Sequence, residues 1–277
     1  MTYLLVYVDD MLLVTPNEEI YNDVIRRLGS EFVLTELGDV KHFLGIQVIQ
    51  TEHGYNLCQK SYIEKLAVRF GLADAKGSKI PMDPGYIQQK EDSERLPTND
   101  KYQSLIGGLL YLAVNTRPDI AISASILGRS VSQPVEQDWT EAKRVLRYLK
   151  ATINHQLRLG NGTQTLEAYA DADWAGNVKD RKSNSGYLFR LGGGTIAWCA
   201  RKQTCVALSS IEAEYISLAE CCQELIWFRK LLQDFGDAVK TPIQIYEDNQ
   251  SCIKMLTSNG EKRSKHIDEV SFCKEFG

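Results

Sequence analysis

Apolar residues flank an acidic pair near the start of the chain. Residues 3–14 read YLLVYVDDMLLV, in which Asp9 and Asp10 separate two apolar runs. Two short apolar runs joined by polar residues are typical of a buried β-hairpin. We therefore predict a hairpin with both acids at its tip.

Helical spacing follows this hairpin. Between residues 17 and 32, apolar side chains recur four apart, and Asn17 is a candidate helix cap. Residues 43–51 and 55–58 predict a second hairpin, which turns at His53 and Gly54. Apolar residues at helical spacing predict further helices at 61–70, 105–112, 120–127 and 139–149.

The composition changes between residues 76 and 99. Pro81, Pro84 and Pro97 lie there, together with glycines and many charged residues. Because such residues interrupt regular structure, we interpret this segment as a linker or an extended surface strap.

Strand patterns return after residue 160. Three strand-like runs come first, and Gly192, Gly193 and Gly194 join the last two as a hairpin. The capping-box pattern Ser209-x-x-Glu212 then opens a long helix. Strands followed by strand–helix units predict an α+β or α/β module with a mixed sheet. The predicted elements are strands 166–171, 186–191, 195–201 and 243–246, and helices 209–234 and 249–256.

Composition and charge exclude several classes of protein. With 43% hydrophobic and 25% charged residues, the chain is typical of a soluble globular protein. The net charge of -4 gives no support to a nucleic-acid partner, so any basic surface must be local. No apolar run is long enough to span a bilayer, so we expect no membrane partner. The seven cysteines and four histidines include no C-x-x-C or H-x-x-x-H pair, which argues against the common zinc sites.

Three acids stand in positions that suggest chemistry. Asp171 ends one predicted strand, and Asp248 follows another. Carboxylates at strand ends of an open sheet point into the crevice where ligands bind. Glu214 lies on the apolar face of the long helix, whereas Glu212 falls on the opposite side. Glu214 shares its face with the apolar residues Leu218, Cys221, Leu225, Phe228 and Leu232.

An unpaired carboxylate on an apolar face is costly unless a cation compensates it. No basic residue lies on that face, so Glu214 is either a metal ligand or an acid at the edge of the face that reaches solvent. Carboxylates without histidine or cysteine ligands suit a hard cation such as Mg²⁺. Two such ions about 4 Å apart can activate water and stabilise the leaving oxygen of a phosphodiester.

Four acid-containing segments read YADADWAG at 169–176, SSIEAEYI at 209–216, EDNQS at 247–251 and KHID at 265–268. Together they resemble the ribonuclease H domain of copia-type long-terminal-repeat retrotransposons. The resemblance implies that Asp171, Glu214 and Asp248 are catalytic, metal-binding acids, and Asp268 is our choice for a fourth. Asp173 is the alternative to Asp171, since residues two apart on a strand share a face.

Upstream segments resemble the same group of elements. YVDD at 7–10 is similar to the catalytic hairpin of reverse transcriptases, which implies that Asp9 and Asp10 bind metal. LGDVKHFLGI at 37–46 resembles the segment that follows this hairpin. YQSLIGGLLY at 102–111 and TRPDI at 116–120 are similar to the connection region.

The resemblance implies three domains. Residues 1–75 would be the end of a truncated polymerase palm and thumb, and 76–160 a linker with a helical connection. Residues 161–277 would form a ribonuclease H-like mixed five-stranded sheet with flanking helices and a clipped C-terminus. The family's polymerase site needs a further aspartate upstream of YVDD, so we expect polymerase activity only in the full-length parent.

Basic and amide side chains could hold the substrate. Lys179, Arg181 and Lys182 could bind phosphates, although each alone could be a solvated surface residue. Asn249 and Gln250 could donate to a minor groove or a 2′-hydroxyl; the alternative is that they only cap the following helix.

The resemblance therefore leads us to expect a Mg²⁺-dependent ribonuclease H with two ions, or Mn²⁺ in their place. Its partners would be an RNA–DNA hybrid and the rest of the polyprotein, in cytoplasmic virus-like particles or the nucleus. The alternative is a non-catalytic nucleic-acid-binding or scaffold remnant of a degenerate element. The sequence leaves the oligomeric state open.

Overall fold

Three β-sheets and eight α-helices make up the described part of the chain. The computed structural model describes residues 1–257 except 91, 161, 163–164, 178 and 237–241, so Asp268 lies outside the described residues. The strands are β1 (Tyr3–Tyr7), β2 (Asp10–Val14), β3 (His42–Phe43), β4 (Ile46–Thr51), β5 (Gly54–Cys58), β6 (Leu157–Gly160), β7 (Leu166–Asp173), β8 (Asn184–Leu191), β9 (Gly194–Lys202) and β10 (Gln244–Tyr246). The helices are α1 (Glu18–Gly29), α2 (Lys60–Arg69), α3 (Tyr86–Gln89), α4 (Asp100–Asn115), α5 (Ala121–Gly128), α6 (Glu136–Ala151), α7 (Ser210–Asp234) and α8 (Gln250–Thr257). Among the described helices, none is long and apolar enough to cross a bilayer.

The first hairpin forms a two-stranded sheet of its own. β1 and β2 pair antiparallel, and Val8 turns the chain with a φ of 53°. Asp9 and Asp10 lie exposed at the tip, as predicted. Tyr3 anchors the other end, because its hydroxyl donates to the carbonyl of Phe235 at 2.8 Å. The strands are less buried than the apolar pattern suggests, since most of their large apolar side chains are exposed.

The second sheet joins distant parts of the chain. Its order is β3-β4-β5-β6, and all its pairs are antiparallel. The hairpin of β4 and β5 was predicted, but β6 was not. Its partner β5 lies about a hundred residues earlier, so no local hairpin pattern marks this strand.

A helical core follows the second hairpin. Helix α2 packs against α6 and shares one apolar cluster with α4 and α5, so this core includes residues on both sides of position 75. The segment between α2 and α4 is a strap that is pinned to the core. Tyr86 is buried there and donates to Asp138, while Lys90 Nζ lies 2.8 Å from the same carboxylate.

The third sheet is mixed, as predicted. Its order is β10-β7-β8-β9, with β10 parallel to β7 and the other pairs antiparallel. Five strands were expected, and the described residues contain four. Helix α7 packs against β7 and β8 and buries the face predicted for it. The apolar core between them includes Ala168, Ala170, Phe189, Cys221 and Leu225.

The second and third sheets meet closely where β6 passes β9. A Cβ on Gly194 would lie 2.8 Å from the carbonyl oxygen of Arg158, so only glycine fits there. Gly162 donates its N–H to the carbonyl of Gly192 at 3.2 Å. Trp198 adds a link to the helical core, because its Nε1 donates to the carbonyl of Ala113 at 2.7 Å.

Candidate metal centre

Asp171, Glu214 and Asp248 converge at one edge of the third sheet. Each offers a carboxylate oxygen, and these three oxygens lie within 4.8 Å of one another. They come from β7, from the first turns of α7 and from the loop after β10. Residues far apart in sequence thus form one acidic cluster, which we call the acid triad.

Strand register aligns two of these acids. β10 runs parallel to β7, and Tyr246 pairs with Tyr169. Asp248 and Asp171 each lie two residues beyond that pair, so they leave the sheet at the same level. The rings of Tyr169 and Tyr246 stack with centroids 4.6 Å apart, which fixes the two strands side by side.

Helix α7 brings the third acid to the same place. Ser217 is fully buried, and its hydroxyl oxygen lies 2.7 Å from the carbonyl oxygen of Asp171 and 3.1 Å from that of Gly186, so its one hydrogen is shared between these two acceptors. Because Glu214 lies three residues earlier on the helix, it is held beside the end of β7.

Glu214 is buried without a compensating cation. Its side chain is on the face predicted for it, the residue is only 6% exposed, and Oε2 has no hydrogen-bond partner. Burial raises the pKa of Glu214 to about 7, with further contributions from the charges of Glu247, Asp171 and Asp248. The N–H of Ala172 donates to the carboxylate and opposes this shift in part. A cation at the triad would supply the missing charge.

The chemistry of the triad fits a hard divalent cation. All three donors are carboxylates, and none of the described cysteines or histidines joins the group. Oxygen ligands of this kind suit Mg²⁺ or Mn²⁺ rather than zinc. The unpartnered Oε2 of Glu214 gives the same indication, because a buried oxygen without a donor is costly.

Glu247 is an acid that the sequence reasoning missed. Burial raises the pKa of Glu247. The N–H of Asn249 donates to its Oε1 at 2.9 Å and opposes this rise. Its Oε2 is buried without a partner. Alternation along β10 was the available signal, because residues 243, 245 and 247 are all partly buried whereas their neighbours are exposed.

Residues 2–84 match the family model described as "Reverse transcriptase (RNA-dependent DNA polymerase)". Over 96% of its length, the chain is 36% identical to the retrovirus-related Pol polyprotein from transposon TNT 1-94 of Nicotiana tabacum. It is also 36% identical, over 96% of its length, to that from transposon RE2 of Arabidopsis thaliana. An uncharacterised mitochondrial protein of Arabidopsis thaliana is 37% identical over 81% of this chain, which covers 93% of that relative. The chain belongs to the copia-type retrotransposon Pol family.

The copia-type chain spans about a fifth of the length of the two Pol polyproteins, 21% and 18% respectively. Its reverse transcriptase-like domain contains the first hairpin, α1, the β4–β5 hairpin and α2. The family resemblance inferred from the sequence motifs is therefore confirmed.

Asp9 and Asp10 are apart from the acid triad. Both are exposed at the tip of the first hairpin, and among the described residues no third acid joins them in a metal-binding group. Their role as metal ligands stays a prediction for the copia-type protein.

Glu212 has the capping role predicted for it. Ser209 Oγ accepts the N–H of Glu212 at 3.2 Å, which begins α7 as a capping box would. The Glu212 carboxylate accepts from the N–H of Leu208 at 2.7 Å, one residue before the expected position. Glu212 thus stabilises the start of the helix and does not join the triad.

The predicted substrate-binding residues have local partners. Lys182 Nζ donates to the carbonyl of Thr204 at 2.6 Å, whereas Lys179 and Arg181 are exposed. Asn249 Oδ1 accepts from the N–H groups at positions 251 and 252, so it caps α8. Gln250 is exposed. Capping by Asn249 is therefore confirmed, and contact of these side chains with nucleic acid stays a prediction.

An open cavity of about 540 Å³ lies between β6 and the third sheet. Arg158, Tyr169, Leu188 and Arg190 are among its lining residues. It contains none of the triad acids, so it is separate from the candidate metal centre.

Proposed function

We propose that this copia-type chain is a divalent-metal-dependent ribonuclease H that cuts the RNA strand of RNA–DNA hybrids. The acid triad carries this proposal, because three carboxylates from β7, α7 and the loop after β10 meet within 4.8 Å. The motifs around these acids resemble the ribonuclease H domain of the same family.

The three acids of the triad differ in exposure and therefore in their proposed roles. Asp171 and Asp248 are exposed, so they can face both a cation and a phosphodiester. Glu214 is buried behind them, and its Oε2 is available to a cation because no hydrogen bond competes for it. Bound Mg²⁺ or Mn²⁺ would supply an activated water and charge stabilisation at the leaving 3′-oxygen.

Asp248→Asn provides the direct test of this proposal. We expect the purified 277-residue chain to cleave the RNA of a hybrid in Mg²⁺ and to lose this activity in EDTA. Asp248→Asn should abolish cleavage while leaving thermal stability unchanged or improved, since it removes one of several like charges.

Asp234→Asn is the matched control, because Asp234 is an exposed acid at the far end of α7. It should cleave like the wild type. Full activity of Asp248→Asn would exclude this residue from the site. Hybrid binding by the wild type without any cleavage would refute the enzymatic proposal and favour a non-catalytic remnant.

A further inference from the structure

Asp173 lies two residues beyond Asp171 on β7, yet its carboxylate is engaged elsewhere. Its register partner on β8 is Asn184, whose Nδ2 donates to Asp173 Oδ2 at 3.1 Å. Asn184 is only 5% exposed, whereas Asp173 is exposed, so the hydrogen bond joins a buried amide to an acid at the surface. Asp173 does not belong to the acid triad.

Arg129 connects the same asparagine to the helical core. This residue follows α5, and its Nη2 donates to Asn184 Oδ1 at 2.7 Å. Both polar ends of the Asn184 amide are therefore occupied, one by each neighbour. Desolvation lowers the pKa of Arg129, and the charges of Asp180, Tyr86 and Asp173 oppose this effect.

The turn after β7 passes close to the Asp173 carboxylate. A Cβ on Gly176 would lie 1.9 Å from Asp173 Oδ2, so the backbone there is in close contact with the acid. Ala175 has a φ of 54° and donates its N–H to the fully buried hydroxyl of Ser183 at 3.0 Å. The end of β7 is thus fixed from two sides.

We propose that Asp173 is a positioning residue and not a metal ligand. Asp173 and Arg129 bind the two ends of the Asn184 amide, and these hydrogen bonds fix the end of β7. The position of Asp171 relative to Glu214 and Asp248 is fixed with it. This inference rests on the proposed function in one respect, namely that the acid triad binds a divalent cation. Partners that orient metal ligands typically change metal affinity about 10- to 100-fold when they are removed.

Mn²⁺ binding to the full chain, measured by calorimetry, tests the positioning role without requiring activity. Asp173→Asn keeps an oxygen that can accept from Asn184, so its Mn²⁺ affinity should stay close to that of the wild type. Asp173→Ala removes the acceptor and should weaken binding about 10-fold. Arg129→Met should weaken binding similarly, whereas Arg26→Met, which removes an exposed arginine of α1, should not.

The double variant Arg129→Met with Asp173→Ala should bind Mn²⁺ no more weakly than Asp173→Ala alone, since both changes break one linked network. Loss of binding by Asp173→Asn would make Asp173 a ligand and overturn the proposal. Wild-type Mn²⁺ affinity in Arg129→Met would also overturn it. A thermal unfolding transition checks separately that this variant is folded. The expected Mn²⁺ pattern in a protein that cleaves no hybrid would refute the proposed function and support the positioning role.

Discussion

Glu214→Gln should make the metal-free protein more stable at alkaline pH. The wild-type carboxylate is buried beside three other acids and has no hydrogen bond at Oε2. Glutamine has nearly the same shape but stays neutral at every pH. Comparing the two proteins therefore isolates the free energy that the native state loses when this one group is ionised.

The size of the effect follows from the pKa. In the folded protein, the pKa of Glu214 is raised from its ordinary value of 4.5 to about 7. Between these values the native state holds a proton that the unfolded chain has released, so stability falls as the pH rises. At about 1.4 kcal/mol per pH unit, the total loss is about 3 kcal/mol and is complete above pH 7.

Urea unfolding in EDTA, repeated from pH 4.5 to 8, measures this difference. Glu214→Gln should match the wild type near pH 4.5 and exceed its free energy of unfolding by up to about 3 kcal/mol at pH 8. Adding Mg²⁺ at pH 8 should stabilise the wild type and not the variant. Glu212→Gln, on the same helix, should follow the pH profile of the wild type. Parallel profiles for Glu214→Gln and the wild type would refute the reasoning.

Three further predictions concern activity and packing. In hybrid-cleavage assays, Glu214→Gln should be inactive, whereas Glu212→Gln should remain active and lose about 1 kcal/mol or less of stability; the reverse result would contradict the helical-face argument. The 277-residue chain should extend no labelled primer on an RNA template, because no described acid joins Asp9 and Asp10; extension that Asp9→Asn abolishes would contradict this. Gly194→Ala should lower the free energy of unfolding by about 1 to 3 kcal/mol, because its Cβ would crowd the neighbouring backbone; an unchanged urea midpoint would contradict it.

Periodicity along α7 predicted where one acid of the triad lies. Helical spacing alone separated Glu214 from Glu212, and the structure places the first in the core and the second at the helix start. The strand ends that carry Asp171 and Asp248 were also recognisable from their apolar runs. Local pattern was sufficient here because each acid sits at a fixed offset from a regular element.

Sequence pattern could not show what depends on pairing between distant segments. The choice between Asp171 and Asp173 is an example, since both lie on one strand face. Only the fold shows that Asp171 meets Glu214 and Asp248, whereas Asp173 accepts from Asn184. β6 was missed because its partner β5 lies far back in the chain. Glu247 was overlooked beside Asp248, although the alternation of β10 marks its position as partly buried.

The ladder between β5 and β6 also constrains the order of folding. It pairs Leu57 with Leu157, so the edge of β5 stays open until the intervening helices have closed the loop. Contacts of such long sequence separation slow folding. During synthesis the β4–β5 hairpin leaves the ribosome first, and α4, α5 and α6 must follow before its last strand arrives. Packing of the helical core therefore brings β6 back to its sheet. Slow synthesis through this region should lengthen the time for which the edge of β5 is exposed to other chains.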